Sequence, residues 1–205
     1  MSTKKIYLIR HGETDYNLKG IVQGSGVDTS INETGRKQAS SFFQKYKDIP
    51  FKKIYTSSLR RTVETVQSFI DLGIPWEQHP GLNEISWGAK DGQIINWNDD
   101  QHYQRIIQEW KSGNFNVSIE GGETPKKVEE RIQEVIDIIV SRPEEDVILV
   151  CMHGRSMRIL LASILHQDLR CMDDFQHQNV CLYVLNYSAE GFSLEKFNDI
   201  EHLKM

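Results

Sequence analysis

The chain of 205 residues has only three cysteines, Cys151, Cys171 and Cys181, with no C-x-x-C step among them. Three thiols cannot all pair within one chain, which argues against a disulfide scaffold and for a reducing compartment. The seven histidines contain no H-E-x-x-H pattern, so no metal site is expected, and no cofactor is called for. No G-x-x-x-x-G-K-[ST] loop is present, which excludes the usual cradle for a nucleotide triphosphate. No apolar run near the N-terminus resembles a secretory signal or a membrane span. No basic run is present either, and 24 basic against 29 acidic residues give a net charge of −5. Nucleic acid and anionic membrane are therefore not expected as partners, and a cytoplasmic location is the simplest expectation. Repeats, low-complexity tracts and linkers are also missing.

What remains is an ordinary soluble composition, 39% hydrophobic, and an alternating pattern of elements. Strand-like runs at residues 4–9, 53–56, 146–151 and 180–187 alternate with helical spacing near 33–46, 59–70, 125–140 and 155–166. Shorter strands are expected at 74–79 and 191–198. Such alternation predicts an α/β fold, with a mainly parallel central sheet between helical layers. Thr124-Pro125 fits the N-cap and first position of the third helix, and Ser57 or Ser58 the N-cap of the second.

Charged side chains recur where these strands end. Arg10 and His11 follow the first run directly. A guanidinium fork matches phosphate oxygens, and a neutral imidazole can attack phosphorus, so the pair points to covalent phosphoryl transfer. Arg61 falls in the first turn of a helix, where free N–H groups and the dipole already favour an anion. A cation there is better explained by a bound anion than by helix stability, the alternative being an ion pair with Glu64. His153 and Gly154 follow the most apolar short run, Asp146 to Cys151, and repeat the strand-to-helix placement of His11. Glu84 lies in the loop from Gly81 to Gly88 among Leu82, Ile85 and Trp87; apolar neighbours suit a carboxyl group that must donate a proton near neutral pH.

In order and spacing, these segments resemble the histidine phosphatase superfamily, also called the phosphoglycerate mutase-like family, over nearly the whole chain. Arg10-His11-Gly12-Glu13-Thr14 matches its signature, Asn17 and Gln23-Gly24 its phosphate-side loop, and Ser58-Leu59-Arg60-Arg61-Thr62 its second arginine segment. Leu82-Asn83-Glu84 matches the proton-donor segment, Gly121-Gly122-Glu123-Thr124 a loop of phosphatase branches, and His153-Gly154 the second histidine. The resemblance implies a three-layer α/β/α sandwich, as one domain over 1–205 with a cap-like insertion around 87–122. It implies His11 as nucleophile, Glu84 as acid and base, and Arg10, Arg61 and a protonated His153 around the phosphoryl group. Asn17, Gln23, Gly24 and Gly154 would complete the phosphate site.

The expected activity is that of a histidine acid phosphatase-type phosphomonoesterase acting on a small phosphorylated metabolite through phosphohistidine. Sugar phosphates, α-ribazole 5′-phosphate and phosphoglycerates are candidates. Phosphoglycerate mutase and a non-catalytic phospho-ligand binder stand as alternatives. Mutases of the family usually carry an arginine pair in an extended insert, and no Arg-Arg step occurs between Glu84 and His153; Gln23 also fits the phosphatase branches. The oligomeric state stays open, a homodimer included. For Trp87, Trp97, Tyr103, Trp110 and Phe115 two readings stand: contact with the leaving group, or packing of a small helix pair at 94–111.

Overall fold

The first apolar run forms β1 (Lys4–Arg10), and its alternation splits the core in two. Ile6 and Leu8 enter one hydrophobic cluster, Tyr7 and Ile9 the other, as the period of a strand dictates. The computed structural model describes residues 3–94, 96 and 100–204. After β1 come a one-turn helix α1 (Asp15–Leu18), α2 (Glu33–Tyr46), β2 (Lys53–Thr56), α3 (Arg60–Asp71) and β3 (Trp76–Gln78). Then follow α4 (Gln101–Lys111), α5 (Pro125–Val140), β4 (Val147–Met152), α6 (Gly154–His166), β5 (Leu182–Ser188) and β6 (Gly191–Asp199).

The strands form one sheet in the order β3-β2-β4-β1-β5-β6. The first four in that order are parallel, while β5 runs antiparallel to β1 and forms a hairpin with β6. One face is covered by α2 and α3 through Phe42 and Phe69. The other is covered by α5 and α6 through Ile132, Val135 and Leu160, with Trp110 of α4 joining the same cluster. This is the three-layer α/β/α sandwich with a mainly parallel sheet that the sequence predicts. Among the described residues no helix is long and apolar enough to cross a membrane.

Local chemistry explains most boundaries. Thr124 accepts from the Lys127 N–H and Pro125 opens α5, as expected. The expected serine cap on α3 is not made: Leu59 holds the N-cap position with no side-chain bond. Ser57 instead accepts from the Leu59 N–H and faces His153, while Ser58 binds Asn83. The strand expected from residue 180 begins at Leu182, because Val180 takes a left-handed turn at φ 57° and the Cys181 N–H bonds to Gln178. In place of a helix pair at 94–111, one helix, α4, is formed by the described residues. Trp97 lies outside them.

Candidate active site

Parallel pairing of β1 with β4 puts Arg10 beside Met152, and the His11 N–H donates to the Met152 carbonyl at 3.0 Å. Two His-Gly steps far apart in sequence thereby leave the sheet side by side. The ring centroids of His11 and His153 are 5.2 Å apart. On the other side of β4, the end of β2 brings Ser57 against the same corner. Ligands of open α/β sheets bind beyond the carboxyl ends of strands, and this corner is such a place.

His11 is buried, and its Nδ1 lies 2.7 Å from the Gly12 carbonyl. Since a carbonyl only accepts, Nδ1 carries the proton and Nε2 keeps its lone pair. Burial, followed by the nearby Arg61 and Arg10, pushes the pKa of His11 well down, so the ring is neutral. His11 and Arg10 line a cavity of about 330 Å³, together with Asn17, Gln23, Glu84 and Gly154. Arg10 lends Nη1 to His177 at 3.2 Å, and its buried Nε has no hydrogen-bond partner.

Arg61 and His153 adjoin this cavity without lining it. Both are fully buried. The Arg61 fork donates to the carbonyls of Val27 and Gly24 and, through Nε, to His153 Nδ1 at 3.2 Å. Arg61 therefore makes no ion pair with Glu64, whose carboxylate accepts from the Ile31 N–H. Because a guanidinium cannot accept, His153 Nδ1 is bare, and its Nε2–H donates to Ser57 Oγ at 2.8 Å. Burial and then Arg61 press the His153 pKa well below the usual range. The expectation of a protonated His153 is corrected: the cation beside it is Arg61, and a second charge in that buried place is disfavoured.

Glu84 also differs from expectation. Leu82 and Ile85 turn into the core, and the Glu84 carboxylate meets three backbone donors instead of an apolar wall. These are the N–H groups of Ile85, Arg155 and Ser156, at 2.9, 3.0 and 2.9 Å. Two of them belong to the first turn of α6, so a helix N-terminus faces this carboxylate. The loop itself is held by Arg131, which donates to the carbonyls of Gly81, Asn83 and Glu84 while pairing with Glu123. Glu123 in turn accepts from the Ser86 N–H, which gives the Gly121-to-Thr124 loop a physical role.

Gln23 lines the cavity with both polar ends engaged, donating to Thr14 and accepting from Thr29. Asn17 accepts at Oδ1 from Asn179 and from the Thr14 N–H, which leaves Nδ2 for a ligand. Gly24 does not fit the expected phosphate contact. Its N–H is taken by Asp91 at 2.6 Å, and a Cβ there would meet Asp91 and the Ile85 carbonyl within 2.4 and 2.5 Å. Gly24 is needed for close approach and not for a free donor.

Sequence reasoning missed several cavity residues. Arg155 and Arg158 stand one turn apart on α6 and both line the cavity, as does His177. Their signal was the i, i+3 spacing directly after His153-Gly154. His177 carries no such signal, because the turn at Val180 and the bond from the Val180 N–H to the Arg10 carbonyl bring that loop in. Of the aromatics, Trp87 and Tyr103 line the cavity, while Trp87, Trp110, Phe115 and Tyr103 also pack on the core. The packing reading holds for these four, and the place of Trp87 and Tyr103 on the cavity wall leaves contact with a leaving group as a proposal.

This geometry gathers two histidines and two arginines at the carboxyl edge of the sheet of a three-layer α/β/α sandwich. The model of the histidine phosphatase superfamily (branch 1) matches residues 6–200, and the chain belongs to that superfamily. It is 24% identical to a probable phosphoglycerate mutase of Erwinia tasmaniensis over 98% of this chain and 95% of that protein. It is 32% identical to human 6-phosphofructo-2-kinase/fructose-2,6-bisphosphatase 4 over 80% of the chain, which spans about a third of that protein, 34%. Among solved structures, the α-ribazole phosphatase of Shigella flexneri superposes with a TM-score of 0.84 at 22% identity, over 95% of this chain and 96% of that one.

Proposed function

We propose that the protein hydrolyses small phosphomonoesters through a phosphohistidine formed on His11. The observation that carries this reading is the His11 ring: neutral, with its proton held by the Gly12 carbonyl, it offers Nε2 at the wall of a cationic cavity. A phosphate dianion repels anionic nucleophiles, and a neutral imidazole avoids that cost. Nε2 attacks phosphorus, the P–O bond to the alcohol breaks, and Arg10 offsets charge on the equatorial oxygens. Arg61 adds positive charge from behind His11, and His153 positions Arg61 through Nδ1.

Glu84 is the acid in this scheme. Glu84 gives a proton to the departing alkoxide. Glu84, ionised again, then takes a proton from water as its oxygen attacks phosphorus and the P–N bond breaks, giving phosphate and free His11. The segment 87–122 acts as a cap, presenting Trp87 and Tyr103 to the alcohol part.

A mutase is the second reading, favoured by the near full-length match to a probable phosphoglycerate mutase. The two differ in the fate of the phosphoryl group. Incubation with a panel of phosphomonoesters, 3-phosphoglycerate among them, decides it: phosphate release supports hydrolysis, and isomerisation without release refutes it. Rapid-quench intact mass should detect a phosphorylated protein, absent in His11→Ala; a species that persists in that variant assigns the nucleophile elsewhere.

A further inference from the structure

On the β5 side, the end of β1 outruns its neighbour. β5 begins at Leu182, opposite Ile9, so that ladder stops before Arg10 and His11. The chain just ahead of β5 takes over. The Val180 N–H donates to the Arg10 carbonyl at 3.1 Å, and Asn179 Nδ2 donates to the His11 carbonyl at 3.0 Å. Because a carbonyl only accepts, the amide nitrogen of Asn179 must face His11, and its second hydrogen reaches Asn17 Oδ1 at 3.2 Å. With the Thr14 N–H on the same Oδ1, Asn17 turns its own amide nitrogen toward the cavity. His177, in the same loop, accepts from Arg10.

The turn that makes these contacts is strained. Val180 is β-branched, fully buried and left-handed at φ 57°, a conformation such residues avoid. Strain of this kind persists only where the surroundings over-determine it. Val180 is held through both polar groups of its backbone: the N–H by the Arg10 carbonyl, and the carbonyl by His202, whose Nε2–H donates at 2.9 Å. The Tyr183 hydroxyl adds a bond to the Gln176 carbonyl. His202 is itself fully buried, in the one-turn segment Glu201–Leu203, with ring centroids 5.2 and 5.8 Å from those of Phe42 and Tyr46 on α2. Burial holds its pKa down, so the ring is neutral and its proton sits on Nε2, the atom that meets a carbonyl. Neither Asn179 nor His202 lines the cavity, and the proposed reaction gives them no step.

We infer that Asn179 and His202 are positioning residues of the phosphoryl site. Asn179 clips the His11 main chain to Asn17, and His202 holds the strained turn that presents the clip. The inference rests on the reading of this corner as the place of phosphoryl transfer. It joins a side chain outside the cavity to the nucleophile through the two backbone hydrogen bonds of a single residue, Val180.

Two measurements on the full chain test it: calorimetric affinity for inorganic phosphate, and kcat on 4-nitrophenyl phosphate, both at a temperature where each variant is folded. Asn179→Ala should lower phosphate affinity and kcat, by about 2- to 10-fold for each hydrogen bond lost. His202→Phe keeps a ring against Phe42 and Tyr46 but removes the donor, and should lose about 2- to 10-fold in both readouts. His202→Gln, which can still donate to the Val180 carbonyl, should return to within about twofold of the parent. Should Asn179→Ala not fold, the pair of variants at 202 decides alone. A lower Tm with phosphate affinity and kcat unchanged overturns the inference, since it marks a structural role only. A loss in His202→Phe that His202→Gln shares overturns it too, because it assigns the effect to packing. If the parent binds phosphate yet hydrolyses no ester, the proposed activity falls and the affinities judge the clip by the same criteria. A parent that binds no phosphate removes the anion that Asn17 faces, and the inference with it.

Discussion

Arg61 donates Nε–H to His153 Nδ1 at 3.2 Å, and that bond fixes the proton on a ring 92 residues away. Burial lowers the Arg61 pKa to about 10, which still leaves it charged at neutral pH. It is the cation of this buried corner, and His153 is its neutral acceptor. Arg61→Lys keeps a charge but loses the fork that reaches Val27, Gly24 and His153 together. The expected outcome is a fall in kcat of at least about tenfold in Arg61→Lys and about 10²-fold or more in Arg61→Ala. Steady-state kinetics on a hydrolysed ester checks this; an unchanged kcat in Arg61→Ala would show that the buried charge does not act on the reaction.

The buried imidazoles make the fold acid-sensitive. His11, His153 and His177 all have pKa values depressed in the folded protein, chiefly by burial. Unfolded, each takes a proton near pH 6.5. The unfolded state therefore binds more protons below that pH, and stability, full above about 6.5, is lost as pH falls. Each group contributes a slope of about 1.4 kcal/mol per pH unit until its folded pKa is reached, which for His177 is about 2. Urea unfolding at pH 7, 6 and 5 should show the decline, and His177→Gln should reduce the slope by about one proton. A flat profile between pH 7 and 5 contradicts the burial of neutral imidazoles.

Much of this was legible in the sequence because its signals are local or periodic. Strands such as Val147–Met152 are apolar runs ended by a polar pair, and α5 shows its Thr-Pro start. Arg10, His11, Asn17, Gln23, Glu84 and Gly154 all reach the cavity expected for them. What was not legible depends on where hydrogen bonds go. No pattern announces that Gly24 N–H is spent on Asp91, or that three backbone donors of two segments meet on Glu84. His177 enters through a left-handed turn at Val180, a β-branched residue that propensity places in extended structure. Charge states follow the same rule: His153 is neutral because of its partners, and partners are a property of the fold.

Glu84→Gln separates proton donation from binding. Ile85 and Ser156 donate to Oε1 and Arg155 to Oε2, so an amide oxygen in the Oε1 place keeps the first two bonds while the amide nitrogen loses the one from Arg155. An alkoxide leaving group needs the proton, and loss of a positioned acid should lower its kcat by about 10²- to 10⁴-fold. 4-Nitrophenolate leaves without help, so hydrolysis of its ester should fall far less in the phosphorylation step. Rapid-quench rates of phosphoenzyme formation from both esters measure the difference. Equal losses for the two leaving groups would assign Glu84 to binding alone.

Gly35, in the first turn of α2, should prove as sensitive as a catalytic side chain. A Cβ there would lie 2.2 Å from the Glu13 carbonyl oxygen and 2.8 Å from the Glu13 nitrogen, both backbone atoms that cannot swing aside. The Gly35 carbonyl in turn packs close on Gly12, so α2 and the loop after His11 touch backbone to backbone. The Gly12 carbonyl is what holds the His11 proton on Nδ1. Gly35→Ala must therefore push the loop off the helix, at a cost of about 1–3 kcal/mol for overpacking, and carry that carbonyl away from the ring. Two readouts should move together: a lower Tm, and a kcat reduced in protein that remains folded. Gly20→Ala is the control, since nothing lies within 4 Å of its Cβ position; its φ of +65° imposes only local strain, so kcat should hold. If Gly35→Ala retained full turnover, the fixing of the His11 proton by the Gly12 carbonyl would have no bearing on the reaction.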